Sequence, residues 1–536
     1  MKKLKLVCVA IAMAGAAPTF AGGLLTNTNQ HVAFNRMMSR EASIGIDGVY
    51  YNPAGVVFMG EGHHLAINWQ LAYQTRTINN DYKLFTNNVN NPITPRDFKG
   101  KAFAPVIPSF QYAYNKGKWS FQANFALTGG GGKCTFDDGL GSFEKIVSET
   151  AIAACGLAGV VDQTLGNTLG QQGMEMFTSD QAFGKTGKYS FNSYMHGRQY
   201  YYGLSVGAAY KFCDNFSAFL GVRGVYALTN YYGYVENINV GNMPLYKVLD
   251  PTKESSANIE LSCDQSGVGF TPIIGVDYKT GRWNFSAKYE FKTRIRLKNK
   301  SVNQTPSIGN LPANLANQMT GILTAKYQQA GLPLEQAKQQ AENTTNAVLN
   351  DPTVGATMMG LKTQFDQKLN KAIGEYEDGK KIAGDIPGYL ALGIGYSPVD
   401  AVRVNVGFHW FDDKNATSYN NRNKELKRGT LEYNAGVEVD VNKKITLSTG
   451  WQNTNYGLSD EYMDDKSFVV GSNSAAIGGV YHINKKMDLN VAYFHTFYQH
   501  KKTSETVQLA ADKSIVYNSD YTRNNNVFAV GLDINF

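Results

Sequence analysis

The sequence of 536 residues predicts an all-β protein. It reads as a transmembrane antiparallel β-barrel of about 14 strands, with an N-terminal hatch (plug) inside the lumen and partly helical long loops. Three observations carry this. Apolar and polar residues alternate with period two along many segments. Short turns and long polar connections take turns between those segments. A secretory leader opens the chain.

The leader reads "MKKLKLVCVAIAMAGAAPTFAGG". Lys2, Lys3 and Lys5 make a charged start, Leu4 to Ala17 is otherwise apolar, and Thr19-Phe20-Ala21 offers a cleavage site. Residues 1–21 are therefore expected to be a signal peptide. Its removal takes the formal charge from +7 to +4, because three lysines leave with it. That balance is weak, and no Lys/Arg cluster is interleaved with aromatics on one element, so no nucleic-acid partner is expected. With 32 Tyr, 28 Phe and 54 Gly, and only 18% charged residues, the chain is too apolar for disorder. No later stretch approaches the length of a membrane helix in consecutive apolar residues. A barrel needs only alternation.

That alternation is regular. "WSFQANFAL" sets Trp119, Phe121, Ala123, Phe125 and Leu127 against Ser120, Gln122 and Asn124. "WNFSAKYEF" sets Trp283, Phe285, Ala287, Tyr289 and Phe291 against Asn284, Ser286, Lys288 and Glu290. "VRVNVGFHW" (402–410) and "LEYNAGVEVDV" (431–441) repeat the pattern. Short turns such as "NKGK" (115–118), "TGR" (280–282) and "NKK" (442–444 and 484–486) punctuate one end. Long polar connections at about 79–101, 129–196, 230–262, 299–386, 412–430, 453–472 and 500–525 punctuate the other. The last strand, "NNVFAVGLDINF", puts Phe528, Val530, Leu532, Ile534 and Phe536 on one face. It is expected to close the barrel with that face toward outer-membrane lipid.

Two stretches in the long loop at 299–386 have helical spacing. One carries Leu315, Met319, Ile322 and Leu323, the other Met358, Leu361 and Phe365. They are expected either to pack on the rim or to offer an apolar capture surface. Four cysteines follow the leader, with no Cys-x-x-Cys, so neither a metal nor another cofactor is expected. Cys134 and Cys155 share one long connection and an oxidising compartment, and are expected to form a disulfide. "GLSVG" (203–207) matches a hydrolase pattern, but Ser205 lies within a strand rather than at a strand-to-helix elbow, so no enzyme is expected.

Residues 22–60 are too broken by Gly and Pro for a wall strand and are expected to form the hatch, leaving 61–536 as the barrel, with its major loops at about 129–196 and 299–386. Within the hatch, "SREASIGIDGVYYNPAGVVFM" holds Ala42, Gly45, Asp47 and Asn52-Pro53-Ala54-Gly55. Here the chain resembles the FadL family of outer-membrane transporters, which includes TodX-type hydrocarbon channels. "PVIPSFQYAY" (105–114) and "DIPGYLALGIGYSPVDAVRVNVGFHWF" (385–411) look like other parts of that family.

The resemblance implies a Gram-negative outer-membrane channel for passive uptake of hydrophobic molecules, above all long-chain fatty acids. External loops would capture the ligand, the hatch would gate an apolar lumen, and a kink in the third strand would give lateral exit. Gly129, Gly130, Gly131 and Gly132 are the candidates for that kink; a flexible loop entry is the plain alternative. A carboxylate would want cations, and strand parity offers Arg223, Lys288 and Arg403, which could equally pair with Glu290, Glu432 or Glu438. The terminal Phe536 strand resembles the signal read by the outer-membrane assembly machinery. Aromatic hydrocarbons or other lipophilic solutes, a surface-binding adhesin-type barrel and, last, an outer-membrane lipase are the alternatives.

Overall fold

The computed structural model describes residues 25–27, 29–171, 173–306, 309–510 and 513–536. The expected signal peptide and residues 22–24 lie outside the described residues. The wall is a closed antiparallel barrel of 14 strands. The first seven are β1 (Gly62–Tyr82), β2 (Arg96–Lys116), β3 (Trp119–Phe136), β4 (Tyr189–Cys213), β5 (Phe216–Val240), β6 (Ile259–Thr280) and β7 (Trp283–Glu290, resuming as Arg296–Gln304). Then come β8 (Lys381–Ala383, resuming as Tyr389–Val399), β9 (Val402–Phe411), β10 (Arg428–Asn442), β11 (Ile445–Gly457), β12 (Ser472–Asn484), β13 (Met487–Tyr498, resuming as Lys501–Ala510) and β14 (Lys513–Asn535). β14 closes on β1 in continuous register from His64↔Asn535 to Tyr82↔Tyr517. Phe536 and His63 exchange backbone hydrogen bonds of 2.8 and 2.9 Å, so the seam is paired to its last residue.

The alternation has the sense of a barrel in lipid rather than of a water-soluble sandwich. Trp119, Phe121, Val406, Tyr433 and Phe528 face outward and are exposed, whereas Ser120, Gln122, His409, Glu432 and Gln452 face inward and are buried. Polar side chains can fill this interior because they bond one another and the hatch.

Strands run further than the polar sequence suggests. β3 continues to Phe136 and β4 starts at Tyr189, inside the stretch expected to be loop, and the polar residues at 501–510 and 513–525 pair as strand. Backbone pairing continues beyond the apolar band, where outward side chains meet water and need not be apolar.

At the long-loop end, helices roof the barrel. α3 (Gly141–Leu169) follows two short hatch helices, α1 (Val32–Met37) and α2 (Gly48–Tyr51). After the single turn α4 (Tyr246–Leu249) come α5 (Leu311–Gln329), α6 (Leu334–Leu349) and α7 (Pro352–Ile373). Pro312, Pro333 and Pro352 stand at the starts of the last three, where proline's missing N–H is not needed. α3 is long and apolar enough by composition to cross a membrane. It lies instead across the rim, where Ser142 N donates to Asp465 (2.8 Å), and Tyr189 and Asn88 donate to Glu144 (both 2.9 Å).

Beside these helices, Glu375 is 1% exposed and both its carboxylate oxygens lack a hydrogen-bond partner. Burial pushes its carboxyl up to about 8 and that of Asp464, in a facing loop, to about 6. Both folded values are raised, so their contribution to stability is full below the ordinary carboxylate range and is lost as pH rises through the folded values. Raising the pH from 6 to 8 is expected to loosen this rim. Hydrogen exchange over residues 374–386 and 460–470 should speed up several-fold more in wild type than in Glu375→Gln. Equal pH responses would contradict the assignment.

Candidate binding cavity and wall opening

The hatch is pinned inside the barrel by side chains from all round the wall. Within Asn52-Pro53-Ala54-Gly55 the first three residues bond to the wall and Gly55 braces Asn52. Asn52 Nδ2 donates to Asp277 on β6 (2.6 Å), and Gly55 N donates to Asn52 Oδ1 (3.2 Å). Pro53 O accepts from Gln122 of β3 and Ala54 O from Ser217 of β5, both at 2.7 Å. A Cβ on Gly55 would lie 2.4 Å from Asn52 Nδ2, which explains the glycine.

On the opposite wall His409 lies between two carboxylates, Nδ1 2.9 Å from Glu432 and Nε2 2.7 Å from the hatch residue Glu41. Only an imidazolium can donate through both nitrogens. Gly450 of β11 lets the hatch backbone touch the wall, since a Cβ there would be 1.6 Å from Met37 O. A cysteine at Ala54, which is 0% exposed, should therefore resist a bulky thiol reagent, and adding Gly450→Leu should make it reactive. Labelling of Ala54→Cys alone would contradict a seated hatch.

Above the hatch lies a cavity of about 260 Å³. Its apolar lining includes Ile107, Leu127, Phe136 and Phe494, and its polar lining includes Gln74, Arg76 and Arg523. Arg76 of β1 and Arg523 of β14 are direct partners across the closing seam. Both share Gln74 Oε1, to which Arg76 Nε donates at 3.2 Å and Arg523 Nη2 at 2.8 Å. Arg523 also stands over the Tyr498 ring at 5.1 Å, and its buried Nε has no hydrogen-bond partner. Among the described residues no carboxylate pairs with either guanidinium. Like charges directly opposite on a sheet repel, and an anion set between them would relieve that repulsion.

The three cations selected by strand parity do point inward, but the structure gives each a carboxylate of the protein's own. Arg223 makes a two-pronged contact with Glu290 (2.7 and 2.9 Å) and Lys288 shares that glutamate (2.9 Å) while donating to Tyr50 O of the hatch (2.7 Å). Arg403 pairs with Glu438 (2.8 Å) and Asp440 (2.5 Å). Their charges hold wall and hatch together. Ser205 accepts from Arg223 (3.0 Å) in mid-strand.

The cavity reaches the wall where the ladder between β2 and β3 breaks. Pairing runs to Ala102↔Cys134 and resumes only at Ser109↔Ala126. Pro105 and Pro108 contribute no N–H on one side of the gap. On the other, Gly130 (φ +75°) and Gly131 (φ +108°) adopt a backbone that side chains disfavour. The expected disulfide is corrected: Cys134 and Cys155 are both free thiols. Cys134 faces the lumen from β3, whereas Cys155 sits on α3, where its Sγ donates to Phe183 O (3.3 Å) and burial pushes the thiol up.

The apolar loop residues divide. Met319, Leu323 and Met358 are buried in packing among the helices, and Ile322 points to solvent. Leu315, Leu361 and Phe365 join Leu157 and Phe177 around a second cavity of about 110 Å³ under the rim helices.

No protein-family model and no curated protein matches the sequence. Solved structures do share its fold. A Pseudomonas aeruginosa FadL homologue is 14% identical over 96% of this chain and 100% of its own, with a TM-score of 0.57. The deltaS2S3 mutant of the TodX monoaromatic hydrocarbon channel is 13% identical over 94% of this chain and 98% of its own, at 0.51. The deltaS2 mutant of TodX is 12% identical over 96% and 99%, at 0.50. The architecture is thus that of FadL- and TodX-type barrels.

Proposed function

We propose that the protein is a FadL-type channel of a Gram-negative outer membrane, for passive uptake of hydrophobic molecules that end in a carboxylate, foremost long-chain fatty acids. The rim helices receive the acyl chain, the cavity above the hatch holds it with the carboxylate on Arg76 and Arg523, and the break between β2 and β3 gives lateral exit into the membrane. The observation that carries this reading is the arginine pair, which among the described residues has no carboxylate of its own, set in a partly apolar cavity whose lining includes residues at the break in the wall. An acyl chain loses about 0.8 kcal/mol per methylene in water, so a lined route matters more to it than a wide pore. Charge-assisted hydrogen bonds then fix its polar end.

A second reading is uptake of neutral aromatic hydrocarbons, the solutes named for the TodX channel. It is favoured by the cavity under the rim helices, whose lining is almost entirely aliphatic and aromatic. Transport into vesicles separates the readings. Long-chain fatty acid should enter faster than toluene, and small sugars should not enter at porin-like rates. Fast sugar flux without binding of any acyl or aromatic ligand would contradict both.

A further inference from the structure

The outer wall carries a second cationic array that transport does not use. From the end of the interruption in β7 into its second part the chain reads "RIRLKNK", with Arg294, Arg296, Lys298 and Lys300 exposed, while Ile295, Leu297 and Asn299 are buried. On β8, Lys381 stands directly opposite Lys298 and is exposed as well. Two like charges face each other here without a neutralising neighbour. The acids nearby are few. Asp385 is 2.8 Å from Arg296 and 4.0 Å from Lys292, Asp264 is the cross-strand partner of Lys300, and Asp378 accepts from Ser301 N (2.8 Å) next to Lys300. Among the described residues Arg294, Lys298, Lys300 and Lys381 form no ion pair.

The height of the array is informative. On β6 the outward residues are apolar from Tyr278 to Val268, and Phe270 is 69% exposed. At about 3.3 Å per residue and a tilt near 40°, that band is roughly 25 Å tall, the height of a membrane-facing belt. A Cβ on Gly269 would lie 2.9 Å from Arg294 O, so the basic array begins level with Val268 and Phe270, where the band ends. A lipid whose chains lie on Val268, Phe270 and Phe291 would bring its headgroup to the array.

We infer that Arg294, Lys298, Lys300 and Lys381 form a seat for the phosphates of a phosphorylated lipid in the leaflet on the long-loop side. The inference rests on the reading of the molecule as a membrane barrel, not on its solute. Phosphate oxygens would bridge Lys298 and Lys381 and relieve their repulsion, and Arg294 could bind two oxygens at once.

The test compares wild type with R294Q/K298Q/K300Q/K381Q and with a control, K99Q/K101Q, which removes two exposed lysines from β2. Each protein is placed in vesicles of phosphatidylcholine with a minor fraction of phosphatidic acid. Folding is checked by the heat-dependent gel shift of a closed barrel, and co-purified lipid is counted by mass spectrometry. Wild type and control should retain phosphatidic acid over phosphatidylcholine about tenfold more than the quadruple variant. Inorganic phosphate at equal concentration should not displace it. Equal retention by a folded quadruple variant, equal loss in the control, or displacement by free phosphate would overturn the site. If the quadruple variant does not fold, R294Q/K298Q is read against the same control, with the same outcomes deciding.

Discussion

Oxidising a protein that carries Ala104→Cys and Gly132→Cys stops uptake, and reducing it restores uptake. A Cβ built on Gly132 lies 3.7 Å from Ala104 Cβ, close to the mean of about 3.8 Å across a disulfide. These two residues face each other over the break between β2 and β3, so the bond staples the only long interruption of that ladder. Gly132 is the suitable glycine because its φ is not in the left-handed region, unlike Gly130 and Gly131. Cys134 is replaced by serine so that the new thiols have no competitor. If ligand leaves through this opening, flux in the oxidised protein falls to that of protein-free vesicles, while binding is kept. Were the glycines only a flexible loop entry, the staple would leave flux unchanged. Unchanged flux with the bond shown by mass spectrometry would rule out lateral exit here.

Replacing Arg76 and Arg523 by methionine should weaken fatty-acid binding and stabilise the empty barrel at once. Hydrogen bonds to charged groups contribute about 1.5–3 kcal/mol, and 1.4 kcal/mol is tenfold in affinity, so the dissociation constant should rise about 10- to 100-fold. The empty protein holds two half-buried like charges side by side, and removing them relieves repulsion and part of the desolvation. Its resistance to denaturant should therefore increase. Arg223→Met should do the opposite, because it leaves Glu290 buried with Lys288 alone. A double variant that loses both stability and binding would mark the arginine pair as structural.

Much of this was legible in the sequence. Period two gave the faces of the wall because lipid and lumen demand opposite chemistry, and Asn52-Pro53-Ala54-Gly55 marked the place where the hatch is tied. The arginine pair was not seen. Arg76 in "QTRTI" and Arg523 in "DYTRNN" each look like polar strand ends, and only closure of the first strand on the last brings them together. Arg76 lies on the inward parity of the expected first strand, but Arg523 falls in the stretch expected to be a loop (500–525), so strand parity does not reach it. Parity did place Arg223, Lys288 and Arg403 in the lumen, but parity names a face and not a partner. Glu290, two residues from Lys288, shares its face and foretold that pair. The pairing of Arg403 with Glu438 depends on register between β9 and β10. The expected disulfide failed because a polar stretch was read as loop, whereas β3 runs through Cys134. Helix in the loop at 129–196 is expected only from the resemblance, and the span of α3 is not legible because its small residues blur the helical stripe.

On this reading the cavity above the hatch recognises a carboxylate on a hydrophobic chain. The most direct measurement is the affinity of purified protein for a long-chain fatty acid and for the methyl ester of the same chain, in the same detergent, by displacement of a fluorescent acyl probe. The two ligands match in chain and differ in charge. Wild type should bind the acid at least about tenfold more tightly than the ester, and Arg76→Met/Arg523→Met should bind the two alike. Equal affinities in wild type, or a preference for the acid that survives loss of both arginines, would contradict it.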